Sequence, residues 1–426
     1  MDTDRVVITG TSLVCSLGST PHDVWRALLS GKTGMKPIEG FDPLGFPCTV
    51  AAQGPRLEPS DLGIHPKDAR IMDTHAYLLM KCTRDAFVAS GLDRTTIPRE
   101  EIGFFAALGM VDYSVNDLLP AVVKSLGASG ELDYRSFYSR GYNEIYPLWP
   151  LSMLNNISFC QVATSLNIQG ENTVFSPHSD AGILAVAEGM KIILDQRAHA
   201  ALCGGVAEKI GPLSLARAHL SGIINMAGSE RGSVCQPFDE ERKGTLLGEG
   251  CGTVALELHS SAVKRGVPCL AAVTGYGVSC DRGDDFSGPT PWAIGLAMEE
   301  ALGRAGVDPS DVDLIIAHGE GSVGGDQNEM EALHQVFSSS IDRMPVFSSK
   351  GAIGHLMAGA PLVDLILGIS MVREGLVPRT LGTVTPDPDL RFRLVYQEPL
   401  RKVMRRVLIN AQSYEGQAAS LMMEAV

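Results

Sequence analysis

Three residues able to take part in acyl or proton chemistry stand side by side where a strand pattern gives way to a helical one. In NTVFSPHSDAGILAVAEGMKII, residues 172–193, a β-branched run passes through a turn into a long series of small and apolar residues. His178, Ser179 and Asp180 fall at that turn. The start of a helix presents unpaired backbone N–H groups and the positive end of the helix dipole, so a nucleophile or an oxyanion is well served there. Adjacency does not make a Ser-His-Asp triad, because side chains one residue apart on a turn or helix point in different directions. His178 is expected to pack or hydrogen-bond at the turn, which leaves Ser179 as the candidate nucleophile.

A chain of 426 residues has room for two or three domains, and its 45% hydrophobic and 20% charged content are those of an ordinary well-cored globular protein. The formal charge of −14 argues against non-specific binding to nucleic acid or to an anionic membrane. One basic run, RKVMRR at Arg401 to Arg406, is either a solvated turn before a strand or a dock for an acidic partner. The nine cysteines are scattered, with no CxxC pair and no Cys/His metal spacing, so core thiols in a reducing compartment are expected, without disulfides or zinc. The start, MDTDRVVITG, goes directly into a strand pattern with no basic or apolar leader region. No later stretch reaches membrane-spanning length. A cytoplasmic protein is the expectation.

The elements that must position Ser179 emerge from an internal repeat. VVITGTSLVC at Val6 to Cys15 returns as AAVTGYGVSC at Ala271 to Cys280, each a buried-strand pattern. After each come an apolar helical pattern, SGLD or AGVD, and a second strand: EIGFFAALG at Glu101 to Gly109, DVDLIIAHGEG at Asp311 to Gly321. TVFS at Thr173 to Ser176 then corresponds to PVFS at Pro345 to Ser348, both entering a turn and a helix. HAALCGGVAEK and RRVLINAQSYEG stand last in their halves. The chain therefore reads as an α/β protein of two pseudo-symmetric β-α-β-α-β halves, residues 1–265 and 266–426, with an insertion near 110–165 and parallel sheets covered by helices. Within the insertion, MVDYSVNDLLPAVVKSL is amphipathic and suits either an interface or an acyl floor.

This order, together with LGEGCGTVALE at Leu247 to Glu257, PFDEERKG at Pro237 to Gly244, AHGEGSVGGD at Ala317 to Asp326 and SSKGAIGHLMAG at Ser348 to Gly359, resembles a β-ketoacyl-acyl-carrier-protein synthase of the elongating type. The resemblance covers essentially the whole chain. It implies the thiolase fold, a layered α-β-α-β-α architecture, and acyl and malonyl groups delivered on the phosphopantetheine of an acyl carrier protein, with no further cofactor and no metal. In that family a Cys at a helix N-terminus is acylated, two His residues bind and decarboxylate a malonyl thioester, and a Lys supports the second His. Ser179 falls at the Cys position, His318 and His355 at the two His positions, and Lys350 at the Lys. The family's Gly-Thr-x-Thr, whose hydroxyls hold the phosphopantetheine arm, is matched by Gly319-Glu320-Gly321-Ser322, so one hydroxyl has become a carboxylate. Its Gly-Phe-Gly-Gly-Thr-Asn loop, source of an oxyanion-hole N–H and a gatekeeping Phe, is matched by Ser413-Tyr414-Glu415-Gly416-Gln417-Ala418. Glu320, Ser322, Tyr414 and Gly416 are thereby implied in substrate binding.

The exchange at 179 has a large chemical consequence. A thiol with a pKa of about 8.5 is partly ionised near neutrality, whereas a hydroxyl is not, and a helix dipole contributes only about 0.3–2 kcal/mol. Ser179 needs a general base, and a His engaged as a donor to a thioester oxygen cannot easily serve as one. A carboxylate at Glu320 is expected to favour imidazolium at His318 and to repel a malonyl carboxylate. Glu415, in place of a loop glycine, adds a second acidic group and restricts the backbone. The altered loop argues that Ser179 is natural, since a lone Cys-to-Ser exchange leaves the Gly-rich loop and both Thr positions intact.

Within the resembled family, chain length factors also lack the Cys and pair with a true ketosynthase in type II polyketide and polyene systems, aryl polyenes included; their usual replacement is Gln. The expected function is therefore a ketosynthase-like subunit that shapes the acyl tunnel of an active partner in a heterodimer, with a homodimer as the other arrangement. Residues 150–205 are the expected interface. The alternative is an active synthase, acyltransferase or malonyl decarboxylase using Ser179 with His318, His355 and Lys350.

Overall fold

The computed structural model of the chain describes residues 4–46, 48–110, 115–226, 235–281, 283 and 288–426. Residues 111–114 of the amphipathic insertion segment thus lie outside the described residues. The first half supplies strands β1 (Val6–Cys15), β2 (Ile102–Leu108), β3 (Asn172–Phe175), β4 (Ala200–Val206) and β5 (Gly250–Leu258). The second supplies β6 (Ala271–Cys280), β7 (Leu314–Ile316), β8 (Pro345–Phe347), a short β9 (Arg393–Leu394), β10 (Arg406–Gln412) and β11 (Gln417–Glu424). Their order across the sheet is β9-β8-β7-β10-β11-β6-β1-β5-β4-β2-β3. Setting β9 aside, each half lays its first, fifth, fourth, second and third strand side by side, so the repeat read in the sequence is a repeat of topology. The β2, β3 and β4 pairings are parallel, as are those of β7, β8 and β10, while the last strand of each half runs antiparallel to its neighbours.

Strands covered on both faces read as continuous apolar runs, and every residue of β2, β4, β7 and β8 is buried. The halves join where Val6–Ile8 of β1 pair with Ala271–Val273 of β6. Helices α1 (Thr74–Ala89), α2 (Asn155–Leu166), α3 (Asp180–Leu194), α4 (Pro291–Ala305), α5 (Val323–Phe337) and α6 (Ala360–Glu374) complete the layers. α1 covers one half-sheet and α4 the other, while α3 and α6 touch strands of both halves. Ala360 to Met371 of α6 are buried without exception, as a helix in a central layer must be. α3 comes so close to the turn before α6 that a β-carbon on Gly182 would lie 2.8 Å from the carbonyl oxygen of Ala358. The result is the thiolase-like α-β-α-β-α arrangement.

Six of the nine cysteines are buried. RKVMRR is the turn leading into β10: Lys402 and Arg406 face Asp313, Asp311 and Glu424, Met404 is buried, and Arg401 and Arg405 are exposed. Among the described residues no helix is long and apolar enough to cross a membrane.

One buried polar group ties α1 to α2. Asp73 caps α1 by accepting from the Ala76 N–H at 3.2 Å, its Oδ2 lies 2.8 Å from His75 Nδ1, and His75 Nε2 faces Ser158 Oγ at 3.3 Å. This has the order of a hydrolytic triad, but its electrostatics are those of a latch. Burial disfavours charge on both members, yet each holds the other ionised: His75 is raised above its ordinary value and Asp73 lowered. A charged imidazole has no lone pair with which to deprotonate Ser158. A raised histidine stabilises the fold fully below its unfolded pKa of about 6.5, and that contribution is lost as pH rises through the folded value. The lowered Asp73 contributes above about 3.9 and loses its contribution as pH falls through its folded value. The stability deficit of His75→Gln is therefore expected to be larger at pH 5.5 than at pH 9 in urea unfolding; an equal deficit would contradict the ion-pair account.

Candidate active site

Strand ends bring the chemistry together. Ser179 follows β3, His318 follows β7, Lys350 and His355 follow β8, and the 413–416 turn joins β10 to β11, so each lies just beyond a strand's carboxyl end. Ser179, His318, Glu320, Ser322, Lys350 and His355 are all buried.

Ser179 sits at the first turn of α3 with helical dihedrals, φ −65° and ψ −32°. Its Oγ donates to the carbonyl of Met357 at 3.1 Å. Met357 holds φ 46°, a conformation that side-chain-bearing residues seldom adopt. His178 turns elsewhere: its Nε2 lies 3.4 Å from Glu415 Oε2, and its ring packs against Tyr414 with centroids 4.3 Å apart. Burial lowers the His178 pKa despite the nearby carboxylate, and burial raises that of Asp180. The three neighbours of the opening motif thus have separate surroundings.

The two histidines meet edge to face, with ring centroids 5.0 Å apart. His318 Nδ1 accepts the Gln412 backbone N–H at 3.3 Å, which leaves the neutral ring's proton on Nε2. Nε2 points at Glu320, whose Oε2 lies 3.4 Å from it and 3.8 Å from His355 Nε2. The other carboxylate oxygen, Oε1, accepts from Ser322 Oγ at 2.5 Å. Burial alone would push Glu320 upward, but His318, His355 and the Ser322 hydroxyl pull its carboxyl down to about 2. His355 is held well below its ordinary value, first by burial and also by the Lys350 charge, against the pull of Glu320.

His318, Glu320 and His355 place their ligand atoms within 4.8 Å of one another, close enough to surround a cation. The surroundings of His318 do not suit one. A metal needs the Nε2 lone pair, and a ligating histidine turns its other N–H toward an acceptor; here His318 Nδ1 faces an N–H donor. His355 Nδ1 has no hydrogen-bond partner among the described residues. His318 is arranged to donate from Nε2 to an oxygen.

Lys350 Nζ donates to Asp364 Oδ2 at 2.7 Å and reaches the Ala317 carbonyl at 3.5 Å, while Ser349 Oγ donates to Asp364 Oδ1 at 2.6 Å. Its influence on His355 is exerted by charge. Asp364 and Glu329 were not singled out from sequence. Glu329 accepts the His318 and Gly319 N–H groups at 2.9 and 2.8 Å and so fixes the turn that carries the first histidine. A lone Asp inside the apolar run APLVDLILGISMV was the available signal for Asp364; Glu329, on an ordinary polar stretch, offered none. Tyr414 and Gly416 stand on the 413–416 turn, Gly416 at φ 106°, and Glu415 is half-exposed.

Comparison with known proteins follows the same lines. Residues 3–262 match the family described as beta-ketoacyl synthase, N-terminal domain, and residues 270–383 its C-terminal domain. The curated 3-oxoacyl-[acyl-carrier-protein] synthase 2 of Coxiella burnetii is 27% identical over 430 residues, covering 100% of both chains. A protein of the same description from Staphylococcus aureus is 26% identical over 419 residues, 98% of this chain and 97% of that one. Among solved structures, the ishigamide ketosynthase/chain length factor superposes with a TM-score of 0.86 at 27% identity, covering 100% of both chains. A type II polyketide acyl-carrier protein in complex with its ketosynthase matches at a TM-score of 0.82 and 22% identity, also over 100% of both chains, a likeness of fold.

Breaking a fully buried ion pair by removing one partner costs roughly 3–5 kcal/mol, whereas replacing both with apolar residues is often neutral. Asp364→Asn is expected to lose about that much stability in denaturant unfolding, and Lys350→Met combined with Asp364→Leu to recover most of it. A loss under about 1 kcal/mol for Asp364→Asn would show that the pair is not desolvated as described.

Proposed function

The chain belongs to the β-ketoacyl synthase family, and from that premise we propose that it is a cytoplasmic ketosynthase-like subunit without condensing activity of its own. It pairs with an active ketosynthase and helps to shape the acyl tunnel, and so chain length, during condensation of malonyl groups carried by an acyl carrier protein. The observation that carries this reading is Ser179: the hydroxyl at the nucleophile position donates its hydrogen bond to the Met357 carbonyl and not to a histidine. Serine attack requires a base, and both His Nε2 atoms face Glu320. A thiolate in the same place would need less help.

The partner reading draws on similarity and on surface. One structural neighbour is described as a ketosynthase/chain length factor, and another holds an acyl-carrier protein. Segment 115–154 exposes Leu119, Val123, Tyr134, Tyr138, Tyr142 and Leu154, an apolar collection of the kind that marks protein contact. Beside it, β3 ends the sheet with one edge unpaired among the described strands, another invitation to a second chain.

A second reading has its own support. His318, His355 and the Lys350–Asp364 pair are in place, the equipment for malonyl decarboxylation or, with Ser179, for acyl transfer. Incubation with acyl- and malonyl-carrier thioesters separates the two. The purified chain alone is expected to give no β-ketoacyl product, no carbon dioxide and no mass adduct; sustained product or an adduct at Ser179 would establish the second reading. With an active partner, Ser179→Ala should leave turnover within a few-fold, where a true nucleophile would lose orders of magnitude.

The chain is also expected to elute and scatter light as a dimer at micromolar concentration, and to co-purify with a Cys-bearing ketosynthase from its own cell. Replacing Tyr138 and Tyr142 with Asp should weaken that association. A strictly monomeric chain with no such partner would remove the subunit proposal.

A further inference from the structure

We propose that Glu320 is a built-in competitor: its carboxylate occupies the place between His318 and His355 where the two ring N–H groups would otherwise hold an oxygen of a carboxylate or thioester ligand, and so conceals an anion-binding site. This rests on the subunit reading above and explains how the retained histidine pair can be silent.

Two independent features show that the carboxylate is accommodated by its surroundings. The first is its set of neighbours. Oε2 lies 3.4 Å from His318 Nε2 and 3.8 Å from His355 Nε2, and Ser322 Oγ donates to Oε1 at 2.5 Å. The Gln412 N–H keeps the His318 proton on the Glu320 side of the ring. The second is the space. A β-carbon at Gly325 would lie 2.6 Å from Glu320 Oε1 and 2.6 Å from Ser322 Oγ, far inside van der Waals contact, so residue 325 leaves open the volume that the carboxylate and its hydroxyl donor fill. The Gly325 N–H then donates to Ser322 Oγ at 3.1 Å, fastening the hydroxyl that fastens the carboxylate.

The ligand class follows from the donors. Two imidazole edges whose ring centres lie 5.0 Å apart suit one small oxyanion and no apolar group. A carboxylate tethered two residues from His318 has a high local concentration, so an external anion must displace it and accept its repulsion as well. Removing the tethered group removes both obstacles.

The test is titration calorimetry with malonate at pH 7 on the full chain. The parent is expected to show no saturable binding at low millimolar malonate, and Glu320→Ala to bind at least tenfold more tightly than the parent's limit. Adding His355→Ala to that variant should abolish the gain. Should Glu320→Ala fail to fold by circular dichroism, Glu320→Ser, which likewise removes both the bulk and the charge, carries the same expectation. Equal binding by parent and variant, or no binding by either, overturns the proposal. Product formation is scored separately: a parent that makes no β-ketoacyl product yet binds malonate as well as the variant would sink the competitor and leave the subunit reading standing.

Discussion

The site hangs from the contact between the start of α3 and the turn before α6. These two helices share the central layer, and there is no slack where they meet: β-carbons at Gly182 and at Gly205 of β4 would each lie 2.8 Å from the carbonyl oxygen of Ala358. A carbonyl held that close to a helix start needs a donor, and the neighbouring Met357 carbonyl takes the hydroxyl of Ser179. The same packing sets the nucleophile position and supplies the acceptor that occupies it. A longer side chain at 182 would separate the layers before it altered any chemistry.

Around that contact, charge is handled by local pairing. Asp364 and Lys350 neutralise each other within the apolar layer, with the Ser349 hydroxyl and Ala317 carbonyl taking further bonding capacity. Glu329 uses its oxygens on the backbone of the His318 turn and on Asn410. Glu320 is the departure from this pattern, because its neighbours are His318, His355 and the Ser322 hydroxyl.

Much of the architecture was legible because each half writes the same alternation of buried strand and apolar helix, and the topology repeats in step. Ser179, His318, His355 and Lys350 could be placed through the resemblance to β-ketoacyl synthases, whose motifs they match position by position. Directions could not. That Ser179 Oγ faces Met357, 178 positions away, and that His178 faces Glu415 are outcomes of how separate layers stack, and no local pattern encodes them. Asp364 stood out only as a charge in an apolar run, a signal that fits a buried pair or a helix end equally well. Gly325 shows the same limit, since its importance lies in the room it leaves for a side chain five residues earlier.

The strand order also sets a timetable. Val6 of β1 pairs with Leu258 of β5, and β1's other neighbour, β6, comes later still. At about 5–20 residues per second, β1 waits on the order of 10–50 s for any partner in its sheet. Through that interval VVITGTSLVC is a bare apolar ribbon, with the composition and alternation that favour pairing with the wrong chain. The segment that closes the seam between the halves is thus the one most dependent on protection during synthesis, and the seam itself records that the nascent chain completes one half-sheet only as it begins the next.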